Sequence, residues 1–216
     1  MKIFLDTADL ETLKRLVPSG LIDGVTTNPT LIRKAGENPL DIYQAIADLG
    51  VQDISMEVYG EAQQMYDDAL SLSDKFGKVA TIKLPMTNDG LQVCRELTKE
   101  KIRTNVTLIF TIPQAILAAK AGATYVSPFV GRLDDQQVAG LEVVRGIAGL
   151  YASKRVPTQV LAASIRTVHR AVRAFYNGAD IVTMPPEVFL KMYDHVLTDK
   201  GLEIFNADIA AIEAKN

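Results

Sequence analysis

The chain has 216 residues, 48% of them hydrophobic and 23% charged, with a formal net charge of −3. A chain of this length can bury most of its unfolded surface in one core, and its slight acidity argues against a nucleic-acid binder, which carries a basic surface. One cysteine, Cys94, excludes an intrachain disulfide framework, and two histidines, His169 and His195, leave little for a His-rich metal site.

At the N-terminus, MKIFLDTADL sets Asp6 and Asp9 where a signal peptide needs an unbroken apolar stretch. No apolar run approaches the roughly 20 residues that span a bilayer. The expectation is a cytoplasmic protein. Short apolar runs then alternate with amphipathic segments. Eight runs read as strands: Lys2–Asp6, Gly24–Thr27, Asp53–Val58, Val79–Leu84, Ile102–Thr107, Thr124–Pro128, Gln159–Ala163 and Asp180–Thr183. Between the third and fourth, Met65, Ala69, Leu72 and Phe76 recur on one helix face. Thr111 with Pro113 reads as a helix start and Gly122 as its end. In the sixth connection Val138, Leu141, Val144 and Ile147 form another stripe. GATYV and GADIV each open a strand after a helix, a faint internal echo of repeated βα units.

No linker or low-complexity tract interrupts this alternation, so one domain over residues 1–216 is expected. Alternating strands and helices imply a parallel sheet with right-handed crossovers. Eight units fit a closed (β/α)8 TIM barrel, with an open doubly wound sheet as the alternative. A further helix, about 198–216, carries Leu202, Phe205, Ile209 and Ile212 on one stripe. A minimal barrel has no place for that stripe. It is expected on the outside of the barrel or against a neighbouring subunit.

The C-terminal ends of barrel strands build the active site. Seven of the eight strand ends carry polar groups: Asp6, Asn28, Glu57, Lys83, Asn105 with Thr107, Ser127, and Ser164 with Arg166. Lys83 is the sharpest, because VATIKLP is otherwise uncharged and mostly apolar. Desolvation lowers a lysine's pKa and frees its lone pair. A neutral amine attacks a ketone to form a Schiff base, an electron sink. The competing reading is a strand-end lysine that snorkels to water. Asp6 and Glu57 are candidate acid and base groups for the proton transfers of such a cycle; alternatively Asp6 caps the helix that begins in DTADL. Arg132, Ser164 and Arg166 suit a phosphate dianion, and barrels often bind phosphate near their last strands. Surface pairing of Arg132 with Asp134 or Asp135 is the alternative. No GxxxxGK[ST] loop or GxGxxG turn supports nucleotide binding. His169 and His195 fall in helical patterns and read as structural or surface residues. Cys94 reads as a small core residue beside Leu91 and Leu97.

DGVTTNPTLI at 23–32 and IKLPMTNDGL at 82–91 resemble the two hallmark motifs of transaldolases. TNVTLIF at 104–110, YVSPFVGRLDD at 125–135 and LAASIR at 161–166 match further segments. The resemblance covers nearly the whole chain. Its short length is similar to the small-subunit class, which includes fructose 6-phosphate aldolases. The resemblance implies a metal-free, cofactor-free class I mechanism on a (β/α)8 barrel, serving the pentose phosphate pathway. It makes Lys83 the Schiff-base lysine and Asp6 the base for the C4 hydroxyl proton. Glu57 with Thr107 would hold a water. Asn28, Asn105 and Ser127 would bind the retained dihydroxyacetone unit, and Arg132, Ser164 and Arg166 the sugar phosphate. Direct aldolases carry Gln where Glu57 stands and Tyr where Phe129 stands, so both positions are of the transaldolase type. A fructose 6-phosphate aldolase and a non-catalytic sugar-phosphate binder are the alternatives. The resemblance also implies a homo-oligomer, a decamer of two pentameric rings, and no nucleic-acid or membrane partner.

Overall fold

The computed structural model describes residues 1–214. Eight strands run Lys2–Asp6 (β1), Gly24–Thr26 (β2), Ile54–Glu57 (β3), Ala80–Pro85 (β4), Thr104–Ile109 (β5), Tyr125–Pro128 (β6), Gln159–Ala162 (β7) and Ile181–Met184 (β8). All pair in parallel in sequence order, and β1 closes on β8, so the sheet is a barrel without edges. The open doubly wound alternative is thereby excluded.

Eleven α-helices surround the barrel among the described residues. They are α1 (Leu10–Leu16), α2 (Pro29–Ala35), α3 (Pro39–Asp48), α4 (Ala62–Phe76), α5 (Asn88–Lys99), α6 (Ile112–Lys120), α7 (Val130–Asp135), α8 (Gly140–Lys154), α9 (Val168–Tyr176), α10 (Pro186–Leu190) and α11 (Val196–Glu213). The connections after β2, β6 and β8 each hold two helices rather than one. Local chemistry sets many of the boundaries. Asp9 caps α1 by accepting from the N–H groups of Glu11 and Thr12, and Thr111 forms a reciprocal capping box with Gln114 at α6. Asp6 is therefore not the cap of the first helix. Gly36 ends α2 in the left-handed conformation that glycine adopts at low cost.

Three expectations need correction. Val138 lies before α8 and is exposed, because the helix starts at Gly140 and only Leu141, Val144 and Ile147 of that stripe are buried. His195 precedes α11, and its ring nitrogen caps the helix by accepting from Leu197 N–H at 3.2 Å. β5 begins and ends two residues later than expected, and within it Leu108 takes a left-handed φ of 62° where the register shifts between Val106 and Ile109. His169 is exposed on α9, and Cys94 is buried against Thr104.

Strand residues alternate between two environments. One set packs against the helices in the main core, with Leu5, Val25, Ile54, Met56, Ile82, Leu84, Val106 and Val126 among its members. The other set faces the barrel axis. Its lower part holds an apolar group of Phe4, Tyr125, Leu161 and Ile181. Here Gly24 makes room for Phe4, since a Cβ at 24 would lie 2.7 Å from that ring. Its upper part, at the C-terminal strand ends, is polar. No helix among the described residues is long and apolar enough to cross a membrane. The last two residues of the expected helix about 198–216 lie outside the described ones. Leu202, Phe205, Ile209 and Ile212 on α11 are 52–64% exposed.

Candidate active site

Lys83 sits in the middle of the mouth, on β4, and its residue is only 5% exposed. A buried ammonium requires partners, and two are present. Nζ donates to Glu57 Oε2 at 2.9 Å and to the backbone carbonyl of Thr27 at 2.8 Å. Glu57 stands directly opposite Lys83 in the β3–β4 register. Lys83 therefore does not snorkel to water.

Asp6 ends β1 beside them. Its Oδ1 accepts from the Thr26 hydroxyl at 2.8 Å, and Thr26 in turn contacts the Thr183 hydroxyl at 2.7 Å. With Thr26 donating to the carboxylate, Thr183 is the donor to Thr26, so a two-hydroxyl chain from β8 through β2 holds Asp6. Burial pushes the Asp6 carboxyl above its ordinary range, while the positive charge of Lys83 and the Thr26 hydrogen bond pull it down; burial prevails.

On the far side of Lys83, Asn105 is fully buried. Its amide donates to Ser55 at 3.1 Å, and its carbonyl accepts from Ser127 at 2.6 Å. Thr107, two residues on, is fully buried too, and its hydroxyl has no hydrogen-bond partner. An orphaned hydroxyl in that position favours a bound water or substrate group. Asn28 spends its side-chain oxygen on the N-terminus of α2, accepting from Leu31 N–H at 3.0 Å, which leaves its amide N–H groups for a ligand.

A cavity of about 110 Å³ joins these groups: it is lined by Asp6, Thr26, Asn28, Lys83, Thr107, Ser127, Phe129, Arg132, Ser164 and Thr183, among others. Arg132 also lines a second, more open cavity of about 550 Å³, together with Phe110, Asp135 and Arg166. The Arg132 guanidinium lies 5.0 Å from the centre of the Phe129 ring, a cation–π contact, and Phe110 packs edge-on against that ring at 5.8 Å. Arg132 makes no ion pair with Asp134 or Asp135. Those aspartates bind Arg170 and Arg166 instead. Ser164 has a left-handed φ of 58°, a strained conformation for a serine. The Gly131 N–H holds it by donating to the Ser164 carbonyl at 3.0 Å. A Cβ at 131 would stand 2.3 Å from that oxygen, so only glycine permits this approach.

Every site residue expected from the sequence thus faces one of two adjoining cavities or is bonded to a residue that does. Sequence reasoning missed Thr26, Thr183 and Ser55. Their signal was period two: Thr26 stands two residues before Asn28 and Ser55 two before Glu57, and Thr183 pairs with Phe4, two before Asp6, so all three share the axial face.

Fold and site together define a parallel β/α-barrel enzyme with a buried lysine at the centre of its mouth. The profile of the transaldolase/fructose-6-phosphate aldolase family matches residues 3–216, and the chain belongs to that family. Proteins described as probable transaldolases are similar along almost their full length. One from Sinorhizobium medicae is 48% identical, covering 97% of each chain. One from Caulobacter vibrioides is 47% identical, covering 98% of this chain and 97% of the relative, and one from Cereibacter sphaeroides is 46% identical, covering 97% and 96%. Among solved structures, thiamine phosphate pyrophosphorylase from Pyrococcus furiosus superposes with a TM-score of 0.58 at 18% identity over 85% of both chains, a likeness of fold alone.

Proposed function

We propose that the protein is a transaldolase that carries a dihydroxyacetone unit on Lys83, moving it reversibly from sedoheptulose 7-phosphate to glyceraldehyde 3-phosphate in the cytoplasmic pentose phosphate pathway. The observation that carries this reading is the ion pair between Lys83 and Glu57, at 2.9 Å inside a closed mouth. Glu57 is an acceptor already in contact with the proton that Lys83 must lose. Once neutral, Nζ attacks the ketose C2 carbonyl, and the proton passes to the new hydroxyl. Loss of water gives the imine, an electron sink that needs no metal. The orphaned Thr107 hydroxyl, with Glu57, suits that water.

Asp6 then takes the C4 hydroxyl proton as the C3–C4 bond breaks. The electron pair moves into the imine to give an enamine, and the aldehyde leaves. Its raised pKa suits a base that must later return the proton. Asn28, Asn105 and Ser127 bind the hydroxyls of the retained unit. Arg132, Ser164 and Arg166 bind the phosphate where the inner and outer cavities meet at Arg132, and paired guanidinium groups there favour a dianion. With Phe rather than Tyr at 129, no phenol protonates the enamine, so it persists until an acceptor aldehyde adds to it. That supports transfer over release of free dihydroxyacetone. The exposed apolar stripe of α11 supports assembly into a homo-oligomer, a decamer of two five-membered rings.

Borohydride with fructose 6-phosphate tests the assignment. Inactivation should leave a reduced three-carbon adduct on Lys83, and Lys83→Arg should form none, because a guanidinium stays protonated. An adduct on another lysine overturns the reading.

A further inference from the structure

Two neighbouring aspartates at the end of α7 face two arginines of the segment after β7, and the two pairs differ. Asp134 is tied into the fold: its Oδ2 holds Arg170 at 3.1 Å and its Oδ1 accepts the N–H of Gly140 at the start of α8. Asp135 has one side-chain partner among the described residues. Both its oxygens bind the two terminal nitrogens of Arg166, each at 2.5 Å, in a fork-to-fork pair. Asp135 and Arg166 both line the outer cavity beside Arg132, and both are about half exposed.

The pairing occupies the groups that Arg166 needs for a phosphate. A carboxylate and a phosphate present the same bidentate face to a guanidinium. We propose that Asp135 is a resident anion which the substrate's phosphate displaces from Arg166, and that it thereby sets how strongly the enzyme prefers phosphorylated over unphosphorylated substrates. This rests on the reading of Arg166 as a phosphate ligand.

Three observations favour exchange over a fixed orienting role. An exposed ion pair is held weakly because water competes for both partners, so releasing it costs little. Asp135 has no other bond to hold it in place, unlike Asp134. The backbone scaffold of the site does not depend on the pair, because Val130 N–H to Ala163 and Gly131 N–H to Ser164 already join the two segments at 3.0 Å each. Arg166 holds the Asp135 carboxyl below its usual range, so the resident anion is charged at neutral pH. It repels an incoming dianion as well as competing with it.

The experiment compares wild type, Asp135→Asn, Arg166→Ala and the double variant at fixed ionic strength. The readouts are KM for fructose 6-phosphate, KM for unphosphorylated fructose as donor, and the inhibition constant of inorganic phosphate. Asp135→Asn should lower the phosphate inhibition constant and the fructose 6-phosphate KM by roughly three- to tenfold, as removal of one unit charge from beside a dianion near a surface implies. The preference ratio over fructose should rise by the same factor. In the Arg166→Ala background the same substitution should lose most of this effect, since the two residues share one interaction. If Asp135→Asn raises or leaves unchanged both phosphate readouts while Arg166→Ala raises them, the resident-anion role is wrong and the phosphate assignment stands. If Arg166→Ala leaves them unchanged, the phosphate assignment itself fails.

Discussion

Glu57 and Lys83 occupy paired positions on the neighbouring strands β3 and β4, and their side chains meet at 2.9 Å on the axial face. Parallel register alone brings them together, with no loop involved. The pair stabilises an ammonium that, in the proposed mechanism, must become an amine. Removing the carboxylate charge should therefore affect the making and breaking of the imine more than the carbon–carbon step. Glu57→Gln is expected to slow borohydride-trappable imine formation by about 10²-fold, the low end for loss of a general base. Rapid-quench trapping of imine against time measures it. Unchanged trapping with slowed turnover would move Glu57 to another step.

Asp6 must be ionised to act as a base, and burial raises its pKa. Activity should thus rise with pH through a value above the ordinary carboxylate 3.8 and fall away below it. The Thr26 hydroxyl favours the carboxylate form. Thr26→Val should shift the acid limb of kcat/KM upward, by about one pH unit for the loss of a hydrogen bond to a charged group. Thr183→Val, acting through Thr26, should shift it in the same direction by less. A downward shift in either variant contradicts the hydroxyl chain.

Lys83 was legible in the sequence because a single charge in an apolar strand needs a reason. Asp6, Glu57 and Asn105 were legible because strand ends share one rim. The alternation of apolar runs exposed all eight strands, since a parallel strand covered by helices is apolar on its outward face. The interior hydroxyls were not legible in the same way. Thr26 and Thr183 look like ordinary strand threonines, and only their shared parity with Asp6 separates them. The extra helices α2, α7 and α10 were hidden because helices of seven residues or fewer carry little periodicity. The pairing of Asp135 with Arg166 spans 31 residues between the end of α7 and the segment after β7, and no local pattern encodes it. Sequence proximity pointed instead to Arg132, whose guanidinium rests on Phe129.

At the opposite end of the barrel, Asp53 is buried with Arg103 at 2.7 Å and the Tyr125 hydroxyl at 2.8 Å. Burial raises its pKa, and Arg103 opposes that rise. A carboxyl whose folded pKa lies above its unfolded value adds stability at low pH and loses it as pH rises through the folded pKa. Arg103→Met removes the opposing charge. It should destabilise by about 2–3 kcal/mol at pH 8, below the usual cost for a fully buried pair because Arg103 is partly exposed, and by less at pH 5. Thermal melts at the two pH values test this. An equal loss at both would mean that packing, not charge, is what Arg103 supplies.

The stripe of Leu202, Phe205, Ile209 and Ile212 leaves a large apolar surface uncovered on the chain, more than isolated surface residues require. Removing residues 198–216 should shift the mass measured by light scattering toward species of fewer chains, beyond the mass of the residues removed. The barrel core, to which no α11 residue contributes, should keep its fold by circular dichroism. An unchanged number of chains per particle would exclude α11 from any contact between copies.

Phe129 stands between two functions, with its ring on the inner cavity and its face under Arg132. Phe129→Tyr adds a phenol at the inner cavity without removing the aromatic surface that supports the guanidinium. The phenol is a general acid for the enamine carbon, directly or through a water. Release of dihydroxyacetone should then compete with transfer, and both draw on one intermediate. A placed general acid contributes roughly 10²–10⁴ in rate, so acceptor-independent cleavage of fructose 6-phosphate should rise clearly even with imperfect placement, while transfer to erythrose 4-phosphate falls. The cation–π contact predicts that KM for the phosphorylated donor changes little in this variant. Phe129→Leu, which removes the ring, should raise that KM by roughly threefold, for a contact worth about 0.5–1 kcal/mol, and produce no gain in cleavage. The decisive quantity is the ratio of acceptor-independent to acceptor-dependent product in the three proteins. If wild type already releases dihydroxyacetone as fast as it transfers it, the protein is a direct aldolase, and Phe129 does not govern the fate of the enamine.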